Sequence, residues 1–353
     1  MDTLNPLILI ISDVHLGALK SNLVQFSLFL DKIETGKFGK KLQVLIILGD
    51  FLDLCTSVEN ALFMDEKITR ILDQLLELKK KVKVIFVPGN HEIPITSSVL
   101  SGSYDEKFKR RKEKFLEKFR NTIVEHLFKS DEISQYIILS KLKRDSCLLL
   151  FESQDQIFNK PIRKIKIKNL DLEDNYNCLM VHGYQFDSDV FRFFVGPIWK
   201  SLISYHNFEV KEAYNYFWNE IIKENRKIKK ITLDDMKSDL IRLKHLPPEA
   251  IDILFSELSS LEFNIVKLNM RIMKKWENAK DTRYYINGIN EFFDEVECDL
   301  TMINHIIYGH SHIKGISYEI ILNNETEVVN DGAWQHTEPS YVEIHKGGKI
   351  ILK

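Results

Sequence analysis

Residues 7–17 read Leu-Ile-Leu-Ile-Ile-Ser-Asp-Val-His-Leu-Gly: five aliphatic residues, then almost at once a carboxylate, an imidazole and a glycine. A short continuous apolar run that ends in polar, turn-forming groups is the pattern of a strand covered on both faces. The pattern recurs along the chain. Val44 to Leu48 precedes Gly49-Asp50-Phe-Leu-Asp53, and Val82 to Val87 precedes Gly89-Asn90-His91-Glu92. Leu179 to Val181 precedes His182-Gly183, and Ile306 to Tyr308 precedes Gly309-His310-Ser-His312. Amphipathic, helix-length segments at about 22–32 and 64–80 separate the first three runs, so the chain opens as βαβαβ, which predicts a parallel or mixed sheet. In such sheets ligand-binding groups collect outside the carboxyl ends of the strands. A lone Asp-x-His or His-Gly occurs by chance in many proteins; five strand-end blocks in order argue for one site.

The rest of the chain reads differently. Residues 104–128 are helical and basic, with Lys107, Lys109, Arg110, Arg111, Lys112 and Lys114. Residues 135–168 alternate as strands with breaks at Arg144-Asp145 and 159–161, which predicts a hairpin or meander. From 187 to 304 helical periodicity dominates and only Gly196 and Gly288 interrupt it. Thr232 has the context of an N-cap, and Pro247-Pro248 before Glu249 marks a helix start reaching toward Lys280. Strands return at Ile306–Tyr308, 319–322, 328–329 and 341–344. The expected layout is a core of 1–186 and 305–353, carrying a basic helix and hairpin insertion at about 95–177, with a helical cap at 187–304. Both ends of that cap adjoin strand-end blocks, so it is expected to wall the site. Its apolar opening, Val190 to Trp199, reads most simply as a surface that docks the cap on the core, with a lipid groove as the sharper alternative.

Composition narrows the classes. With 353 residues, 44% apolar and 28% charged, the chain has the make-up of a folded globular protein. A net charge of -2 argues against bulk attraction to nucleic acid. Cys55, Cys147, Cys178 and Cys298 are scattered without a Cys-x-x-Cys pair, which reads as reduced thiols. The N-terminus lacks the basic flank and cleavage site of a signal peptide, and no stretch approaches a membrane span, so the expected location is cytoplasmic.

The ordered blocks DxH, GDxxD, GNH followed by Asp or Glu, a later His, and GHxH resemble the calcineurin-like metallophosphoesterase family. The resemblance covers roughly residues 7–94, 178–187 and 305–345. It implies an α/β fold, the metallophosphoesterase-type αββα sandwich of two mixed sheets, here with a helical insertion. It also implies two divalent metal ions, one held by Asp13, His15, Asp50 and His312 and the other by Asp50, Asn90, His182 and His310. Asp50 would bridge them, since a carboxylate has two oxygens to offer. The nitrogen and oxygen donors, without thiolate, suit manganese first, with iron, zinc or cobalt as alternatives. His91 is the implied general acid. Asp53 and Glu92 are expected to accept hydrogen bonds from metal-binding imidazoles and orient them. The implied activity is hydrolysis of a phosphoester, a phosphodiester or pyrophosphate bond in particular, by attack of a metal-bridging hydroxide.

Other histidines, His126, His206, His245, His305 and His345, fall outside the blocks and read as structural. His336 follows Asn330-Asp-Gly-Ala-Trp334, which is similar to the family's late NxGS/AW turn, and stays outside the ligand set. Leu54 stands where protein Ser/Thr phosphatases carry Arg after GDxxD, which weighs against a phosphoprotein substrate. His182-Gly-Tyr-Gln-Phe-Asp187 resembles the HGxQFD block of microbial members grouped with UDP-2,3-diacylglucosamine hydrolases, many of which carry His at the position of Tyr184. The expected partner is a phosphoester substrate, lipid-linked or nucleotide, compatible with peripheral membrane contact. A nuclease acting on DNA or RNA is the less favoured enzymatic alternative, and a non-catalytic protein-binding scaffold is weakest, since every ligand type is present. The oligomeric state stays open.

Overall fold

The aliphatic runs become strands because alternate side chains leave opposite faces of a sheet, so an unbroken apolar run serves two cores at once. The computed structural model describes residues 5–18, 21–53, 65–92, 117, 119–129, 133–151, 163–186, 286, 288–290, 302–334 and 338–353. Strands β1 (Ile8–Ile11), β2 (Val44–Leu48) and β3 (Lys83–Val87) run parallel, and β11 (Val342–Ile344) and β12 (Ile350–Leu352) complete a sheet of order β12-β11-β1-β2-β3. A second sheet has the order β6-β5-β4-β7-β8-β10-β9. It comprises β4 (Tyr136–Leu142), β5 (Asp145–Phe151), β6 (Arg163–Ile167), β7 (Asn177–Met180), β8 (His305–Tyr308), β9 (Gly315–Ile321) and β10 (Asn324–Asn330). Within it β7, β8 and β10 are mutually parallel and the remaining pairings antiparallel. The architecture is therefore α/β with two mixed sheets, as the resemblance implies.

Both faces of β1 and β2 are used. Leu9, Ile11, Leu45 and Ile47 pack against α1 (Leu23–Glu34), α2 (Glu66–Leu78) and α3 (Ile123–Lys129) through Phe26, Phe29, Ile71, Leu75 and Leu127. Ile8, Ile10, Val44 and Ile46 face the second sheet and meet Ile137, Leu148, Met180, Ile307 and Val329. The first two helices are started locally: the Asn22 side chain accepts from Gln25 N–H, and Asp65 from Lys67 N–H.

Two elements extend beyond their expected bounds. β9 and β10 are longer than the apolar cores at 319–322 and 328–329, because polar Ser317, Glu319, Glu325 and Glu327 alternate within them. The two-residue turn Leu322-Asn323, with φ of 47° and 66°, joins them as a type I′ hairpin. β12 is absent from the sequence-based expectation, since three residues are too few to show a period. The 135–168 hairpin is present as β4, β5 and β6, with 152–162 outside the described residues.

The chain divides into one unit of residues 1–188 and 285–353 and a second of 189–284. The unit boundary places 285–304 with the strands rather than with the insertion. Residues 189–284 lie outside the described residues, and with them Val190 to Trp199, Thr232, the expected helix from Glu249, His206 and His245. The basic stretch 104–116, Leu54, Cys55, Cys298 and His336 also lie outside them. No helix among the described residues is long and apolar enough to cross a membrane.

Candidate metal centre

Six parallel strands, three from each sheet, deliver polar residues at their carboxyl ends. β1 supplies Ser12, Asp13 and His15; β2 supplies Asp50 and Asp53; β3 runs into a turn of 3-10 helix holding Asn90, His91 and Glu92. From the second sheet, His182 follows β7, His310 and His312 follow β8, and Asp331 follows β10. Backbone bonds tie these loops together where the ladders stop: Asp13 N–H donates to Gly49 C=O (3.0 Å), His15 N–H to Asp50 C=O (2.8 Å) and Gly309 N–H to His182 C=O (2.8 Å).

The side chains form two groups. Ligand atoms of Asp13, His15 and His312 lie within 4.8 Å of one another, as do those of Asp50, His182 and His310. A third group of the same tightness joins His15 with Asp53 and His91. Asp50 stands between: Oδ1 is 3.4 Å from His182 Nε2, while Oδ2 is 3.7 Å from both His15 Nε2 and His91 Nε2. Asn90 Oδ1 lies 3.2 Å from His182 Nε2. All of these residues are buried except His312, whose side chain is 24% exposed. The structure thus brings together every residue read from the sequence as a ligand.

The backbone is strained to achieve this. Asp13, His15, Asp50, His310 and His312 have φ of 53°, 49°, 47°, 67° and 60°, in the left-handed region. Each residue held there costs on the order of 1 kcal/mol, and such outliers persist where the surroundings over-determine them, often at functional sites. Two glycines permit the packing. A Cβ at Gly49 would overlap the His182 ring, and one at Gly89 would overlap the Asp50 carboxylate. The glycine of each GD and GN block is therefore a spacer that lets the backbone lie against the neighbouring functional side chain.

Hydrogen bonds fix which atoms face inward. His182 Nδ1 donates to Leu48 C=O (2.8 Å), so in the neutral ring Nε2 is the lone-pair nitrogen beside Asp50 and Asn90. Asp13 Oδ2 accepts from His310 N–H (2.8 Å) and from the Ser12 hydroxyl. Asp13 Oδ1, buried, accepts no hydrogen bond and sits 3.1 Å from His312 Nε2. His15 Nε2 and His312 Nε2 approach to 3.2 Å. Two imidazole nitrogens and a carboxylate oxygen converging on one point, without hydrogen bonds to satisfy the oxygen, fit a cation between them.

Electrostatics point the same way. Burial alone would raise the Asp13 carboxyl, yet His182 and His312 hold it well below the usual carboxylate range. Asp50 is likewise held down, by His91, His182 and His15 against the effect of burial. Burial works to lower the His182 imidazole, but Asp50 and Asp13 together push it up to about 10. The pocket therefore calls for positive charge, and divalent ions would supply it while leaving imidazoles neutral. Burial and His91 lower His15, keeping its lone pair available. The clusters fit a dinuclear divalent metal site.

Supporting residues partly depart from expectation. Asp53 Oδ1 lies 2.9 Å from His91 Nδ1, so it orients the implied acid, in place of the metal-binding imidazole expected as its partner. Glu92, also expected to orient an imidazole, does something else. Its oxygens accept from the backbone N–H groups of Leu52 (2.7 Å), Gly89 (2.8 Å) and Asp50 (3.1 Å), stapling the loop after β3 to the loop after β2. Sequence reasoning missed Ser12 and Asp331. Ser12 Oγ contacts both Asp13 Oδ2 and Asp331 Oδ1 (2.6 Å), and Asp331 is fully buried, its proton affinity raised by burial and by the Asp13 charge. The available signal was position: Ser12 precedes Asp13, and Asp331 ends the apolar run of β10. His305 pairs with Glu327 (2.9 Å) and His345 with Glu343 (2.9 Å), away from the clusters.

Fold and site together define a metal-dependent phosphoester hydrolase. A family model described as calcineurin-like phosphoesterase matches residues 6–314, and the chain belongs to that family. Among solved structures it is similar to a dimetal phosphatase from Danio rerio, at 12% identity and a TM-score of 0.39, covering 99% of this chain and 96% of that one. It is also similar to a 5'-nucleotidase from Candida albicans, at 13% identity and a TM-score of 0.31, covering 98% of this chain and 50% of that one. No curated protein matches the chain.

Proposed function

We propose that this chain hydrolyses a phosphodiester or pyrophosphate bond at a manganese-loaded pair of sites, one built from Asp13, His15, Asp50 and His312, the other from Asp50, Asn90, His182 and His310. The observation that carries the reading is Asp50, whose two oxygens address different clusters. When bound, the ions supply Lewis acidity, an activated water and neutralisation of phosphoryl charge. The protein's own residues do the rest. Asp50 aligns the two halves. His182, fixed by Leu48 C=O, presents Nε2 rather than Nδ1. His91, held through Nδ1 by Asp53, carries its transferable proton on Nε2, which faces Asp50 and the reaction zone, and gives it to the leaving oxygen.

The preference for a diester or pyrophosphate rests on the likeness of His182-Gly-Tyr-Gln-Phe-Asp187 to the HGxQFD block, and Leu54, where protein Ser/Thr phosphatases carry Arg, weighs against a phosphoprotein substrate. A nucleotide-linked or lipid-linked phosphoester is the proposed substrate class.

The test is a substrate and metal panel on the full chain. Bis(p-nitrophenyl) phosphate, a nucleoside diphosphate sugar, p-nitrophenyl phosphate and DNA are offered after loading with Mn²⁺, Fe²⁺, Zn²⁺ or Co²⁺. Diester or pyrophosphate turnover should exceed monoester turnover and be greatest with Mn²⁺. Dominant monoester hydrolysis would refute the bond preference, and salt-sensitive DNA cleavage would move the reading to a nuclease.

A further inference from the structure

The seven-stranded sheet has two edges, and the sequence treats them differently. β6 reads Arg-Lys-Ile-Lys-Ile, and its cations guard the edge against a further strand. β9 reads Gly-Ile-Ser-Tyr-Glu-Ile-Ile: one charge, no proline, and seven residues paired with β10 without a bulge. Among the described residues β9 has no second neighbour.

The hairpin turn determines which backbone groups are left over. A two-residue type I′ turn makes Ile321 and Asn324 a hydrogen-bonded pair, so alternation directs the N–H and C=O of Ser317 and Glu319 to β10. Those of Ile316, Tyr318 and Ile320 face outward. The same three residues expose their side chains, by 46%, 67% and 66%. Through Val329 and Ile307, this face of the sheet continues into the inter-sheet core, which none of the three joins.

We propose that β9 pairs antiparallel with β9 of a second copy of this chain, about a two-fold axis at Tyr318. A two-fold contact requires a patch complementary to itself, and this strand satisfies that condition in one register. Ile316 lies opposite the partner subunit's Ile320, Tyr318 opposite the partner's Tyr318, and Ser317 opposite the partner's Glu319. The strand's single carboxylate thus meets a hydroxyl and not its own copy, which avoids the like-charge pairing that disfavours most self-associating strands. The three outward-facing residues of each copy exchange about six backbone hydrogen bonds. Apolar cross-strand pairs cover side chains that are otherwise wet.

The register is tested by charge at Ser317, which belongs to none of the metal-binding groups. Sedimentation equilibrium on the full chain should show a dimer that dissociates on dilution. Ser317→Glu, which opposes two carboxylates twice per dimer, should weaken it by about 10-fold, and Ser317→Lys should tighten it by about 3-fold. Bis(p-nitrophenyl) phosphate hydrolysis, and thermal stability at concentrations where the chain is monomeric, should be unchanged in both. Independently, Tyr318→Cys should oxidise to a disulfide-linked dimer, since a hydrogen-bonded pair places its Cα atoms at about 5.5 Å, within disulfide reach. Val24→Cys, on exposed α1, serves as the control. A wild-type chain that stays monomeric at every concentration overturns the proposal. So does a dimer that responds with the same sign to both charges, or a Tyr318→Cys chain that cross-links no faster than the control. Any of these would return β9 to another occupant, such as an unrelated extended peptide.

Discussion

The two halves of the metal centre are held in different ways. In the half of Asp50, Asn90, His182 and His310, the backbone does the holding: His182 is clamped by Leu48 C=O, and Asp50 Oδ1 accepts His91 N–H at 2.9 Å. The half of Asp13, His15 and His312 rests more on side chains. Asp13 Oδ2 accepts one backbone N–H, from His310, and is braced by the Ser12 hydroxyl, which Asp331 contacts in turn, while His312 remains partly exposed. A buried, backbone-clamped half is preorganised and should retain its ion, whereas the other should exchange it more readily. Asp50 is proposed to serve both, so it is the position at which the difference can be tested most severely.

Asp50→Asn should therefore have the largest effect. Loss of one carboxylate charge from both halves should lower turnover on the order of 10⁴-fold or more and deplete both ions, as read by elemental analysis. Retention of one full equivalent of metal would show that Asp50 serves a single half. His91→Gln comes next, with a rate loss of about 10²–10⁴ at undiminished metal content. A fall in metal content would make His91 a ligand.

Comparing His182→Ala with His312→Ala separates the halves directly. Each should remove a metal, but His182→Ala also strands the buried Leu48 carbonyl and should cost a further 1–3 kcal/mol or so in chemical denaturation of the metal-free chain. Equal stabilities would remove the distinction between a backbone-clamped and a side-chain-held half. Ser12→Ala should weaken metal binding in the Asp13 half alone by about 10–100-fold, the usual effect of losing a residue that supports a ligand, as followed by competition with a chelating dye.

The smallest effect concerns Glu92. Burial, then the Asp50 charge, pushes its carboxyl up from 4.5 to about 7 in the metal-free protein. Between those pH values the folded chain holds a proton that the unfolded chain has released, so stability should fall as pH rises from about 4.5 to 7, by at most about 1.4 kcal/mol per pH unit. The difference between wild type and Glu92→Gln across that window, measured by urea unfolding, should show the slope. Parallel curves would place the Glu92 proton elsewhere.

Much of this molecule is legible without coordinates. Five aliphatic runs mark β1, β2, β3, β7 and β8 because a strand buried on both faces has no polar alternative, and functional residues stand directly after each of them. The extent of β9 is hidden for the opposite reason. Its exposed Ile316, Tyr318 and Ile320 imitate a core alternation, while Ser317 and Glu319 interrupt the apolar run. Glu92 shows a different limit: a carboxylate beside His91 suggests side-chain chemistry, and nothing local reveals three backbone N–H groups arriving from two loops.

The sequence by itself determined the order of strands and donors, since periodicity and residue type are local properties that survive in the linear chain. The family resemblance implied which donors would share an ion, and the tertiary structure shows the contacts that bring them together. The left-handed turns at Asp13, His15, Asp50, His310 and His312, the pairing of Ser12 with Asp331 across 319 residues, and the approach of His182 from the second sheet to Asp50 show only in the folded chain. Such contacts depend on closing long loops, whose geometry is written in no single segment.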